Sequence, residues 1–417
     1  MEIQENKNVK LEPATFEELE QFIHEKFEVK DTGIVRLLCA TVIAHLMPGD
    51  PVWLFLVAPP SGLKTELIRA LDGIDFIYNI SSLTPHTLIS GQKGSMGKET
   101  SLLFKIPTHI LTFKDFTSIL EMNYNARDEI LSQLREVYDG QYSKSFGTGE
   151  EIKWEGKIGF IAGVTEAVDL FQEMYNILGE RFLQYRMAQP DRKDATRKGM
   201  QNASKIHEIR LQAKEMFARY IKSVEVPKES PEISSDLREE IIELSDFATL
   251  AREGVVRDPK TREITNVFAP EMPIRFAKQL ALLAQSFLLM GLKENDRNIM
   301  RKIAFSSLSK NRLKAFWYLS QERNKADLSD RNTFEDDENM GEVETGLTDN
   351  EKQWTSKDIG IAMGLPTTTA RRILEEINAL GFVERKKSSS ADAWKLKEIY
   401  KVFFRKYYSN EFKLFDS

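Results

Sequence analysis

Lys64 and Thr65 stand where an apolar run gives way to a helical pattern, in VWLFLVAPPSGLKTELIRAL (52–71). A lysine followed by a hydroxyl residue at the opening of a helix suits the binding of a polyphosphate. Backbone N–H groups at a helix N-terminus point at phosphate oxygens, and the helix dipole favours negative charge there. The ammonium reaches the terminal phosphates, and the hydroxyl holds Mg²⁺. The usual pattern is G-x-x-x-x-G-K-S/T. Here Ala58 stands at the first glycine and Leu63 directly before the lysine. The candidate nucleotide loop therefore comprises Ala58, Pro59, Pro60, Ser61, Gly62, Leu63, Lys64, Thr65 and Glu66, with Gly62 and Ser61 expected to supply backbone freedom. The plainer reading is an ordinary strand, turn and helix that happens to carry Lys-Thr.

Such a site needs an acid at a neighbouring strand tip, to hold Mg²⁺ and polarise the attacking water. THILTFKDF (108–116) offers an apolar strand ending in Lys114-Asp115-Phe116. Two acids in tandem would be usual, and one is present. Either Asp115 is the metal-side acid and the catalytic acid is missing, or Asp115 is the catalytic acid and Lys114 occupies the metal-side place. A strand-end acid at a plain turn is the third reading. Further on, DGQYSKSFGTGEEIKWEGK (139–157) alternates around Gly147-Thr148-Gly149 and reads as a β-hairpin carrying Lys144 and Lys153.

The C-terminal stretch WTSKDIGIAMGLPTTTARRILEEINALGFVERKKSSSADAWKL (354–396) has a helix-turn-helix pattern followed by a hairpin wing. Thr355 or Ser356 caps a first helix. Gly364-Leu365-Pro366 makes the turn, a threonine among Thr367 to Thr369 opens a second helix, and Gly381 stops it. Thr367, Thr368, Arg371 and Arg372 are candidates for a DNA groove or its phosphates, and Arg385, Lys386 and Lys387 for backbone contact. Such modules also dock proteins, so docking or regulation is the competing role.

These residues need a scaffold. VWLFLVA, DFIYNIS (75–81), THILTFKDF, KIGFIAGVT (157–165) and RFLQYRMA (181–188) read as five strands alternating with helices. That alternation predicts a mainly parallel α/β sheet. Residues 1–48 read as helical, 49–190 as the α/β core, 191–324 as helical, 325–350 as an acidic flexible linker, and 351–417 as the C-terminal module. In a chain of net charge -6, residues 352–417 hold 13 Lys/Arg against 8 Asp/Glu, so a basic tail follows an acidic tether. No apolar run reaches the ~18 residues that span a bilayer. The start MEIQENKNVK lacks the features of a secretory signal. The lone Cys39, in an apolar helical stretch, reads as packing, and a cytoplasmic address is expected. His24, His45, His86, His109 and His207 show no metal-ligand spacing; His86 is a loop histidine or lies near a channel or interface.

The loop at Lys64, KDF at 114–116 in place of DEF, the strand ending IAGVT (161–165) and then GERF (179–182) together resemble the minichromosome-maintenance branch of AAA+ helicases. The resemblance is closer still to related self-loading replication helicases of phages, plasmids and genomic islands. It covers roughly residues 50–320, with the tail matching by type. It implies a P-loop AAA+ core with a helical lid and a C-terminal winged helix. It also implies a hexameric ring with ATP between subunits. On that alignment Asp115 is the catalytic acid and Lys114 the departure. Thr165 falls at the sensor position, Arg181 matches the arginine finger entering the neighbouring site, and Arg275 matches the sensor arginine of a lid helix. The hairpin would project into the ring channel, where Lys144 and Lys153 follow DNA phosphates.

The function expected from this is an ATP- and Mg²⁺-dependent hexameric DNA helicase or translocase serving replication of a mobile element. Single-stranded DNA would lie in the channel and duplex at the winged helix, with an initiator or primase as further partner and no membrane. The rival is a nucleotide-switched DNA-binding regulator or initiator adaptor with little turnover, favoured by Lys114 and Leu63.

Overall fold

The computed structural model describes residues 14–89, 101–145, 151–171, 181–291, 296–321, 353–388, 391–412 and 414. The hairpin tip at 146–150, Gly179-Glu180 of GERF and the acidic stretch at 325–350 lie outside them. The described residues belong to two compact units. The first draws on Met1–Phe171, Leu178–Ser245 and Pro273–Ile303, the second on Asp246–Met272 and Ala304–Ser417.

The first unit is α/β. Its five strands are β1 Trp53–Val57, β2 Ile77–Ile80, β3 Ile110–Phe113, β6 Gly159–Val164 and β7 Phe182–Arg186, all parallel, in the order β2-β3-β6-β1-β7. Every residue of β1, β3, β6 and β7 is buried, as parallel strands covered on both faces require. β2, at the edge, is partly exposed. Between β3 and β6 the antiparallel β4 Gln141–Ser145 and β5 Glu151–Glu155 form the expected hairpin. An aromatic cluster fills one region of the core: Phe55 stacks on Phe182 at 3.8 Å between centroids, and Phe116 and Phe160 pack around them. The helix α1 Phe16–Phe27 starts on a capping box between Thr15 and Glu18. The helix α2 Ile34–Leu46 is apolar all round and buried along almost its whole length. The helices α3 Lys64–Ala70, α4 Leu102–Lys105, α5 Thr117–Leu120 and α6 Tyr124–Tyr138 connect the strands. Beyond the sheet lie α7 Arg192–Asn202, α8 Ile206–Ser223, α9 Ser235–Ala251, α10 Ile274–Leu289 and α11 Arg297–Ser306.

The second unit departs from the expected division at 324 and 351. It joins the tail to residues 246–272 and 304–321 through one aromatic core. Phe247 stacks on Phe403 at 4.4 Å, and Phe316 meets Phe382 at 4.9 Å. The helix α12 Lys310–Ser320 contributes Phe316, which also meets Phe404, to this core. A second correction concerns residues 191–324, read as helical. They contain an antiparallel hairpin, β8 Val255–Arg257 and β9 Ile264–Val267. In the tail, α13 Ser356–Met363 is capped by Thr355 and ends on Gly364 at φ 68°. The helix α14 Thr367–Ala379 follows, then Gly381 at φ 85°. The strands β10 Trp354–Thr355, β12 Ala393–Leu396 and β11 Val383–Lys386 form a small antiparallel sheet, and α15 Glu398–Tyr407 closes the chain. Among the described residues no helix is long and apolar enough to cross a membrane.

Candidate nucleotide site

In open parallel sheets ligands bind beyond the carboxyl ends of the strands, where connections leave in opposite directions. Here that point lies between β1 and β6. The chain after β1 runs toward β2, and the chain after β6 crosses to β7. A cavity of about 480 Å³ opens there. Pro59 and Pro60 line it from the loop after β1; Asp115, Thr117, Ser118 and Glu121 line it after β3; Thr165, Glu166 and Ala167 line it after β6.

The loop itself is strained at two positions, and neither is the glycine. Ser61 and Leu63 adopt positive φ, 62° and 63°. An L-residue in that region costs roughly 1–2 kcal/mol. Gly62, expected to supply this freedom, is needed for space instead. A Cβ there would lie 2.8 Å from the Pro59 carbonyl oxygen and 2.9 Å from Gln189 Oε1. Pro59 and Pro60 carry no N–H, so any amide cradle for phosphate must begin at Ser61. The Ala58 amide is already used, donating to the Val164 carbonyl.

Lys64 and Thr65 open α3 behind this loop and do not line the cavity. Lys64 is 6% exposed, and its ammonium donates to the carbonyls of Ala58 at 2.5 Å and Pro59 at 2.7 Å. Burial pulls its pKa below the ordinary lysine value, against the attraction of Asp115. Glu66 is engaged elsewhere: its carboxylate accepts from Arg69 and, through two bonds of 2.6 and 2.7 Å, from Arg210 of α8. It braces the helix and takes no part in the cavity.

Asp115 follows β3 and is exposed toward the cavity. Its Oδ1 accepts from the Thr117 amide at 3.2 Å, fixing the turn that starts α5. The Thr117 hydroxyl accepts from the Thr165 amide at 2.9 Å and lies 3.4 Å from the Thr165 hydroxyl. Asp115 and Thr165, expected from separate motifs, are thus joined by a residue that was not singled out. The available signal was a hydroxyl two positions after the acid, where it can close a turn on it. Glu121 and Glu166 were also missed. No motif marks them, because only the fold brings the ends of β3 and β6 together.

The two candidate arginines are elsewhere. Phe182 pairs with Trp53, so Arg181 precedes the first residue of its strand, at the amino end of the sheet. At ~3.3 Å per residue, the length of β1 alone separates it from the cavity by roughly 13 Å. Arg181 is 9% exposed, donates to Asp139 at 3.0 Å and lies over the Tyr138 ring. Burial lowers its pKa, Asp139 opposes this, and nearby Arg275 adds to the lowering. Arg275, at the start of α10, lies over the same ring, its guanidinium 5.8 Å from the Tyr138 centroid. On the same helix Gln279 accepts from the Trp53 amide and donates to the Arg181 carbonyl, so α10 caps the amino ends of β1 and β7. Neither arginine lines the cavity.

The candidate DNA contacts also separate. Register pairs Ser143 with Lys153 and Lys144 with Ile152. Directly opposed residues share a face, so Lys144 shares a face with buried Tyr142 and Trp154, where it meets Glu129. Lys153 occupies the other face, beside Glu151 at 3.2 Å. One surface cannot present both lysines. In the tail, Thr367, Thr368, Arg372, Lys386 and Lys387 are exposed. Arg371 is paired with Glu375 at 3.1 Å. Arg385 lies over the Trp394 ring and binds Asp392, whose pKa it holds down.

Six of the nine residues lining the cavity carry side-chain oxygens, and Asp115, Glu121 and Glu166 would repel a bare triphosphate. That donor set fits Mg²⁺ brought by a nucleotide, since Mg²⁺ is commonly held by one or two carboxylates plus phosphate oxygens. Among the described residues no group of three or more His, Cys, Asp or Glu could hold a metal ion. Of the two residues expected to hold such an ion, Asp115 lines the cavity and Thr65 does not. Compared with protein-family models and with curated proteins, the chain matches none.

Proposed function

We propose that the chain is an ATP-driven DNA motor of the AAA+ type, a helicase or translocase that works as a hexameric ring in replication of a mobile element. One observation carries this reading. The strained loop after β1, the acid after β3 and the threonine after β6 meet around one cavity at the carboxyl edge of a parallel sheet. In this reading the ATP phosphates lie along residues 61–65, with Lys64 swung from its carbonyl partners onto the terminal phosphates. Mg²⁺, held by Thr65 and Asp115, would neutralise phosphate charge. Asp115 orients the attacking water, and Thr165 hydrogen-bonds the water or the γ-phosphate. Arg181 and Arg275 sit at the opposite edge of the sheet, which speaks for action in the neighbouring subunit's site. Of the hairpin lysines, Lys153 is the one open to a channel strand, and the tail binds duplex through α14 and the wing.

The rival reading, a nucleotide-switched DNA-binding regulator with little turnover, is favoured by Lys64 being tied to its own loop and by Lys114 in the metal-side place. ATPase assays with and without single-stranded DNA separate the two. Stimulation by DNA supports the motor, and nucleotide binding without stimulated turnover supports the switch. Lys64→Ala is expected to abolish nucleotide binding; unchanged ATP affinity removes the loop assignment.

A further inference from the structure

The β8–β9 hairpin was not legible as a hairpin, and nothing above gives it a role. It belongs to the second unit, as does α14. A register irregularity between Val256 and Arg257 re-aims the Arg257 side chain, as bulges do. Its guanidinium then makes four bonds. Nε donates to Glu376 at 3.2 Å, and Nη1 donates to Glu375 at 3.2 Å and to the Arg262 carbonyl at 2.8 Å. Nη2 donates to the Arg372 carbonyl at 2.7 Å. One planar group therefore ties the hairpin turn at Arg262 to α14 at Arg372. Arg312 fixes the same helix from behind, bonding Glu376 and the carbonyls of Ala251 and Glu253. The acids of α14 are turned to these arginines, and Arg372 is left exposed.

The turn is built to hold a shape. Asp258 caps it, accepting from the amides of Lys260 at 2.7 Å and Thr261 at 2.8 Å, and those bonds hold its carboxyl below the usual range. Arg262 takes φ 64° at the end of the turn. Lys260, Arg262 and Arg372 are all exposed, and the carbonyls of Arg262 and Arg372 share the Arg257 guanidinium.

We propose that the β8–β9 hairpin is a second wing, which places Lys260 and Arg262 on the phosphates of the duplex that α14 engages. The proposal rests on the DNA-binding reading of the tail and adds a segment about a hundred residues upstream to the same surface. Arg257 is its positioning residue, and phosphate is the group recognised, so the contact is independent of sequence.

The test uses the full-length chain and a short duplex, with anisotropy titrations from 50 to 200 mM salt. Each lost phosphate contact lowers the slope of log affinity against log salt by about 0.9. K260A/R262N, in which asparagine tolerates the left-handed turn, is expected to lower that slope by about 1.8, with an unchanged melting temperature. A parallel K386A/K387A variant probes the tail's own wing. If K386A/K387A weakens binding and K260A/R262N leaves the slope unchanged, the second wing is overturned and the tail reading stands. If neither variant changes it, both are overturned.

Discussion

The two edges of the five-stranded sheet in the first unit are built on opposite principles. At the carboxyl edge the backbone is strained at Ser61 and Leu63, and Asp115, Ser118 and Glu121 stay exposed around an open cavity. At the amino edge the chain is relaxed and polar groups are drawn inside. His45 is 6% exposed and bonds the Thr108 carbonyl, Lys157 reaches the Met47 carbonyl, and Arg181 is bound to Asp139. An edge that keeps oxygen donors wet can exchange a ligand. An edge that desolvates cations holds them in place by hydrogen bonds, at the cost of pKa values displaced by burial.

The sharpest way to break this contrast is Arg181→Ala. If the amino edge serves a neighbour's site, turnover falls by roughly 10³- to 10⁵-fold while nucleotide affinity is unchanged. Arg181→Lys controls for the ion pair with Asp139. Turnover at the parent rate would leave Arg181 a structural cation only.

The amino edge also predicts a pH dependence. Burial pulls the His45 pKa from the ordinary 6.5 to about 4, with the Thr108 carbonyl opposing the effect and Lys157 and His109 adding to it. The folded state keeps the ring neutral while the unfolded chain protonates it. The stability is therefore complete above pH 6.5 and is lost as pH falls toward 4, by a few kcal/mol. Urea midpoints across this range should fall for the parent chain. A slope identical in His45→Gln would remove His45 as its source.

At the carboxyl edge, Thr117→Val removes the hydroxyl that accepts from the Thr165 amide. Leaving that donor unpaired is expected to cost about 1–3 kcal/mol in stability and to slow turnover, with Thr117→Ser restoring both. A Val variant with parent stability and parent turnover would show that the Asp115–Thr165 link is incidental. The smallest effect concerns strain. Leu63→Gly relieves a left-handed leucine at the cost of glycine's flexibility, so a thermal melt should register a gain of up to about 1 kcal/mol. A loss would mean that the Leu63 side chain contributes more than its backbone costs.

The sequence by itself determined the local order: five apolar runs alternating with helical patterns, Lys-Thr opening α3, an acid after β3, and in the tail a helix pair, the first helix capped by Thr355, followed by a hairpin. These follow from periodicity, capping and turn chemistry, which act over a few residues. The parallel sheet was legible for the same reason. Tertiary structure decided the rest. It put Gly62 to use as space, between the Pro59 carbonyl and Gln189 from far along the chain, and left positive φ to Ser61 and Leu63. It joined Asp115 to Thr165 through Thr117, separated Arg181 and Arg275 from the cavity by the length of a strand, and set Lys144 and Lys153 on opposite faces of one hairpin. It also assigned residues 246–272 and 304–321 to the tail's unit, because an aromatic core closes only when enough rings meet, however far apart they stand in the chain.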